Sequence, residues 1–222
     1  LEKAQVEIFE VDGYEADDLI GTIAYQTQNS KLPGLAKRSG AGKTQNYEVV
    51  IVSGDRDMLQ LVNSHVKVLA PVVGITNMIL YDTQKVEEKY GITPSQIIDY
   101  KALVGDPSDN YPGVSGIGPK TASKLILEYE TLDGIYKHLD DIKKKNEALA
   151  VKLAEGAEAA GLAKKLATIV TDAPISLDIK KCFCLDFDTK SLLESFEELG
   201  FKSLVKRVEN GQQEISNKQE VS

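Results

Sequence analysis

Seven carboxylates fall in three short groups along the chain: Glu15, Asp17 and Asp18; Asp55 and Asp57; Asp106 and Asp109. Acidic side chains this close repel one another, and unpaired they raise each other's pKa and destabilise a fold. Hard divalent cations such as Mg²⁺ and Mn²⁺ resolve that conflict, because they prefer oxygen ligands. Two such ions about 4 Å apart can activate a water and stabilise the leaving oxygen in phosphodiester hydrolysis. That chemistry needs carboxylates delivered by several elements, which is the pattern here. Each group alone has a plainer use. Asp17 and Asp18 suit the first turn of a helix through its dipole. Asp55 and Asp57 suit a turn after a strand, and Asp106 and Asp109 suit turns and caps beside Pro107. Together the three groups point to one site.

A second motif is Gly113-Val-Ser-Gly116-Ile-Gly118-Pro-Lys120-Thr121-Ala-Ser-Lys124. The glycines permit a tight backbone turn, and Pro119 suits the first position of a helix. Free N–H groups at such a turn form a phosphate site, to which Lys120 and Lys124 add charge and Thr121 a hydroxyl. This is a helix-hairpin-helix way of gripping a DNA backbone without reading sequence. A purely structural helix–loop–helix turn is the plainer alternative. Gly40-Ala-Gly42-Lys43-Thr44 hints at a phosphate-binding P-loop, but Lys37 stands where that pattern requires a glycine. His65 and His138 show no ligand spacing.

The elements that must position these residues follow from periodicity. An extended piece from Glu7 leads into a helix reaching about Gln28, with Leu19, Ile20, Ile23 and Ala24 at helical spacing. Residues 29–46 read as a polar loop. Tyr47–Ser53 is a short, β-branched run expected as a buried strand of a parallel sheet. The Asp55/Asp57 pair follows it directly, at the strand end where open α/β sheets form sites. Glu15 and Asp17 can converge only if Glu15 lies at or before the helix start. Val66–Ala70 and Met78–Tyr81 are further strand candidates. Helices are predicted at about Thr83–Tyr90, Pro94–Val104, Pro119–Glu130, Thr131–Leu139, Asn146–Thr168 and Ser191–Val208, the last interrupted near Gly200. Pro174–Ile179 reads as a short strand and the segment after Asn210 as a disordered tail. The expected fold class is α/β, a mostly parallel central sheet flanked by helices, followed by a helical DNA-binding region. The expected domains are 1–104, 105–208 and a tail or linker, 209–222.

Composition sets the bounds. The chain has 222 residues, 42% hydrophobic and 27% charged, enough for a real core. Net charge is −8, which alone argues mildly against a nucleic-acid partner. Removing the seven grouped carboxylates leaves 34 − 7 = 27 acids against 26 bases, so the excess is confined to three motifs that cations would neutralise. No apolar run approaches the roughly 20 residues of a membrane helix. With no signal peptide apparent, the expected compartment is the cytoplasm. Cys182 and Cys184 are too few for a disulfide scaffold and read as half-buried strand residues. The first residue is Leu1, not Met, so the sequence is expected to be processed or a piece of something longer.

Tyr14-Glu-Ala-Asp-Asp18, Ser53-Gly-Asp-Arg-Asp57, Gly105-Asp-Pro-Ser-Asp-Asn110 and Pro112-Gly-Val-Ser-Gly-Ile-Gly-Pro-Lys-Thr-Ala122 together resemble the 5′-nuclease family joined to bacterial DNA polymerases of type I, within the flap endonuclease superfamily. The likeness runs in order from about Val6 to Val208. It implies a helix-three-turn-helix module around Gly113–Leu125 that holds duplex DNA and often K⁺ through backbone carbonyls. It implies 5′-flap cleavage and 5′-3′ exonucleolytic removal of nucleotides, with branched or 5′-flap duplex DNA as partner and a covalently linked polymerase domain in the longer protein. Carried over, Glu15 and Asp17 would hold the first metal and Asp55, Asp57 and Asp109 the second. Asp18 and Asp106 match additional bacterial carboxylates. The family's first-strand aspartate, a further ligand and a basic helical arch lie upstream of the Glu-Ala-Asp-Asp motif, where this chain has only fourteen residues. On that ground the chain is expected to be an incomplete nuclease, binding DNA better than it cuts it. The alternatives are a non-catalytic DNA-binding module and a small RNase, against which the Gly-Ile-Gly-Pro-Lys hairpin argues.

Overall fold

A computed structural model describes residues 4, 6–29, 47–74, 77–179, 181–182 and 188–219. The expected loop over 29–46, the P-loop-like run and Cys184 lie outside the described residues, except for Asn29, which ends a helix. The larger of two compact units spans residues 11–176. It opens with α1 (Ala16–Asn29) and β1 (Val49–Val52), followed by a 3-10 turn at Asp57–Leu61. Next come β2 (Val66–Val73), β3 (Asn77–Tyr81), α2 (Thr83–Tyr90) and α3 (Ile97–Val104). The last of these follows a second 3-10 turn at Pro94–Gln96.

β1 pairs parallel with β2, Val49 opposite Val66 and Val52 opposite Leu69, while β3 returns antiparallel, Val68 opposite Tyr81. Among the described residues the sheet is therefore small and mixed, and its parallel part is the β1–β2 pair that carries Asp55 and Asp57. β1 is buried on one face only. Ile51 is in the core, but Val50 and Val52 are 47% and 68% exposed, so the fully buried strand that the apolar run predicts is a half-buried one.

A short hairpin follows, β4 (Gly105–Asp106) against β5 (Tyr111–Pro112). Then come α4 (Pro119–Tyr129), α5 (Leu132–Lys137), α6 (Leu139–Lys145), α7 (Glu147–Glu155) and α8 (Ala157–Ala167). The single helix predicted over 146–168 is thus two, broken at Gly156, and α6 was not predicted. Residues 174–179 form no strand; Gln26 and Thr22 side chains bond the backbone of Ile175 and Ala173 instead. The boundary expected after residue 104 falls inside this unit. α3 is walled by α4, α5, α8 and the first 3-10 turn, with Ile97, Ala102 and Leu103 buried.

The second unit comprises residues 1–10 and 177–222. It carries α9 (Thr189–Glu198) and α10 (Lys202–Gln219), separated at Gly200 as predicted, with Phe196 and Phe201 rings 6.2 Å apart. α10 runs to Gln219, where a disordered tail was expected after Asn210. Cys182 lies in a turn rather than a strand.

Candidate active site

Glu15 sits just ahead of the first helical residue, its carbonyl accepting from the Leu19 N–H at 3.3 Å. This is the placement that lets it converge with Asp17. The Asp18 side chain reaches back to the Glu15 N–H at 3.2 Å, half of a capping box, and its other oxygen accepts from the Val170 N–H at 2.9 Å. Asp18 therefore ties the start of α1 to the segment after α8. After β1, the Ser53 hydroxyl accepts from the Asp55 N–H at 3.0 Å, and Asp55 accepts from the Asp57 N–H at 2.8 Å. These local bonds fold residues 53–57 into a turn that presents both aspartates.

Glu15, Asp17, Asp18, Asp55, Asp57 and Asp109 line one cleft of about 290 Å³. Tyr111 and residues Leu166–Ile169 complete its wall. Six of the seven predicted carboxylates are thus brought together from three segments. The seventh, Asp106, does not line the cleft. It accepts from Lys101 at 2.6 Å and from the Ser108 N–H at 2.8 Å. Burial pushes its pKa up, but Lys101 and Ser108 outweigh burial and bring it to about 2. Asp17 moves the other way: burial first, then the charges of Asp55, Glu15, Asp18 and Asp109, raise it to about 6.

Three contributors escape the sequence reading. Lys101, on α3 and buried, forms ion pairs with both Asp57 and Asp106. Gln60 donates to the carbonyls of Asp57 and Ala167 and accepts from the Ile169 N–H, lashing the 3-10 turn to the cleft wall. Tyr111 is buried beside Ala163 and Ala167, and burial followed by Asp106, Asp109 and Asp55 pushes its phenol up to about 12. The signal for Lys101 was present: Asp99 and Lys101 alternate within an otherwise apolar helix. Nothing comparable marks Gln60.

The donor set is all oxygen, which suits hard divalent ions. Among the described residues no three of these side chains stand close enough to enclose one ion as placed. Mg²⁺ needs only one or two carboxylates and keeps waters for the rest, so the set fits water-rich ions spread along the cleft.

The glycine segment links to this site through β4–β5. Gly105 has φ +77°, and a Cβ on Gly113 would lie 2.3 Å from the Gly105 nitrogen and 2.4 Å from the Leu103 oxygen. Gly113 is required by packing. Gly116 has φ +75° and lies under the Lys152 side chain of α7, whereas Gly118, ahead of α4, faces open space. Lys120 and Lys124 are exposed on α4, and the Thr121 N–H returns to the Gly118 carbonyl at 3.0 Å.

Residues 1–91 match the family described as 5′-3′ exonuclease, N-terminal resolvase-like domain, and residues 92–190 its C-terminal SAM fold. The chain belongs to the 5′-3′ exonuclease family. Among curated relatives, DNA polymerase I of Caldicellulosiruptor bescii is 41% identical over 205 residues, covering 91% of this chain and 22% of that protein. DNA polymerase I of Bacillus subtilis is 38% identical over 208 residues, 94% of this chain and 22% of the relative. The chain thus spans about a fifth of the relatives' length. Among solved structures, T5 5′-exonuclease with bound zinc ions superposes with a TM-score of 0.55 at 19% identity, covering 91% of this chain and 61% of that one. A bacteriophage T5 flap endonuclease complexed with DNA and metal ions gives 0.52 at 22% identity, with coverages of 90% and 62%. These likenesses show a shared fold over about nine-tenths of this chain. No helix among the described residues is long and apolar enough to cross a membrane.

Proposed function

We propose that this chain carries the 5′-nuclease function of a longer protein: hydrolysis of DNA phosphodiesters at 5′ flaps and 5′ ends, in primer removal and repair. The observation that carries this reading is the single cleft lined by six carboxylates from three segments. Two divalent ions, Mg²⁺ or Mn²⁺, would activate the attacking water and stabilise the leaving oxygen there. Glu15 and Asp17 would hold one ion; Asp55, Asp57 and Asp109 the other, in part through waters that the ion keeps. Asp18, with both oxygens on backbone N–H groups, sets where α1 starts and so aims Glu15 and Asp17. Asp106 holds Lys101, and Lys101 orients Asp57. The Gly113–Lys124 hairpin, through Gly116, Gly118, Lys120, Thr121 and Lys124, would hold the duplex, with K⁺ on its carbonyls. Branched or 5′-flap duplex DNA is the substrate, a linked polymerase domain the partner in the longer protein, and the cytoplasm the compartment.

A second reading, DNA binding without cleavage by this chain alone, is favoured by two observations. Lys101 engages Asp57, and among the described residues no three carboxylates close on a single point. A labelled 5′-flap duplex incubated with the chain in Mg²⁺, beside single-stranded RNA, separates the readings. Flap cleavage abolished by Asp55→Ala, with RNA untouched, is expected. Flap binding without product supports the second reading, and RNA cleavage alone would sink both.

A further inference from the structure

Several lysines of the larger unit sit on carboxylates: Lys67 on Glu48, Lys85 on Glu88, Lys144 on Asp141, Lys145 on Glu128 and Lys164 on Asp99 and Asp133. Lys89, Lys120 and Lys124 have no carboxylate partner among the described residues. They meet instead at a pocket of about 370 Å³ between the end of α2 and the start of α4, together with Tyr90, Tyr100 and Ser123. No carboxylate lines it. Three lysines with no carboxylate in the lining make this a locally positive pocket, which an anion complements.

The pocket is built rather than incidental. Tyr90 and Tyr100 meet edge to face, centroids 5.5 Å apart. Lys89 lies over the Tyr81 and Tyr90 rings at 5.1 and 5.2 Å and donates to the Tyr81 hydroxyl at 2.9 Å, which fixes its ammonium and leaves two donors. The Ser123 hydroxyl donates to the Tyr90 carbonyl at 2.8 Å, pinning α4 to the end of α2. Lys120 and Lys124, four residues apart, share one face of α4.

We infer that this pocket is a second phosphate site for the backbone of duplex DNA, extending the hairpin's grip from α4 onto α2. The inference rests on the reading that the hairpin holds DNA. Lys120 serves both places, since it also stands in the first turn of α4. The ammonium groups of Lys89 and Lys124 bind one phosphodiester, and the Tyr90 and Tyr100 rings give the adjoining sugar an apolar floor. Such contacts carry no sequence information; they fix the register of the duplex.

The test is duplex binding by the full 222-residue chain in EDTA, followed by anisotropy across a salt series. Each phosphate contact contributes about 0.9 to the slope of log affinity against log salt. Lys89→Ala should lower the slope by about 0.9 and weaken binding several-fold for any sequence, and Lys89→Arg should restore both. Lys144→Ala, which removes a carboxylate-paired lysine elsewhere, should leave the slope unchanged and controls for net charge. If Lys89→Ala binds like wild type while Lys120→Ala is weakened, the second site is wrong and the hairpin reading stands. If Lys144→Ala loses as much as Lys89→Ala, the effect is net charge and the site is again wrong. If the unmutated chain binds no duplex at all, the DNA-binding reading itself fails.

Discussion

Asp17 is altered first by burial and then by the charges of its neighbours. Its folded pKa of about 6 lies above the ordinary carboxylate value, so between about pH 4 and 6 the folded state keeps a proton that the unfolded state releases. Stability from this group is therefore present below about pH 4 and is lost as pH rises through 6. Asp106, at about 2, acts in the opposite sense: its contribution is present above about pH 4 and disappears toward pH 2. Of these two groups, Asp17 is the one whose contribution changes across pH 4–6. Thermal melts in EDTA should show stability declining across that window, and Asp17→Asn should remove most of the decline and melt higher than wild type at pH 7. Parallel curves for the two proteins would show that Asp17 is not the strained group. Addition of Mg²⁺ should help progressively more as pH rises, because the ion must displace that proton.

At the scale of elements, what the sequence revealed and what it hid have physical reasons. β1, α2 and the start of α4 were legible because their signals act locally: a β-branched run for β1, Pro119 at the first position of α4, and for α2 an Asp82 side chain that accepts from the Lys85 N–H and a left-handed Gly91 after Tyr90. The convergence of Glu15 with Asp55 was legible as chemistry but not as geometry. It depends on Asp18 and Gln60 bonding backbone 100 or more residues away, and no local pattern encodes that. The break at Gly156 was lost inside a continuous helical periodicity, and α6 falls in the gap left between the helices expected over 131–139 and 146–168. The hairpin glycines looked alike in sequence, yet the fold assigns them different work. Gly113→Ala would drive a Cβ into the backbone of Leu103 and Gly105, an overpacking cost of roughly 3 kcal/mol. Gly118→Ala meets open space and should cost about 1 kcal/mol or less as a changed cap. Urea melts should separate the two, with Gly118→Ala folded and impaired only in duplex binding. Equal destabilisation would mean that the β4–β5 hairpin is not packed as described.

At the scale of the whole chain, one surface stands out. Pairing register puts Val50 and Val52 of β1 on the same sheet face as Leu69 of β2 and Leu80 and Met78 of β3. Val50, Val52, Leu80 and Met78 are 47%, 68%, 43% and 36% exposed. β1 is also an edge strand in the described sheet, order β1-β2-β3. An open edge beside an apolar face is a template for pairing with another chain. Net charge of −8 opposes that association through long-range repulsion, but salt screens it within about 10 Å at 0.1 M. Self-association should therefore rise with salt, the reverse of DNA binding, which salt weakens. Sedimentation of this chain at increasing concentration should show reversible association that strengthens between low and moderate salt. Val50→Thr with Val52→Thr should weaken it while changing stability by no more than about 1 kcal/mol, since both side chains are largely in water already. Association that is unaffected by the double substitution, or that falls as salt rises, would place the contact elsewhere on the molecule.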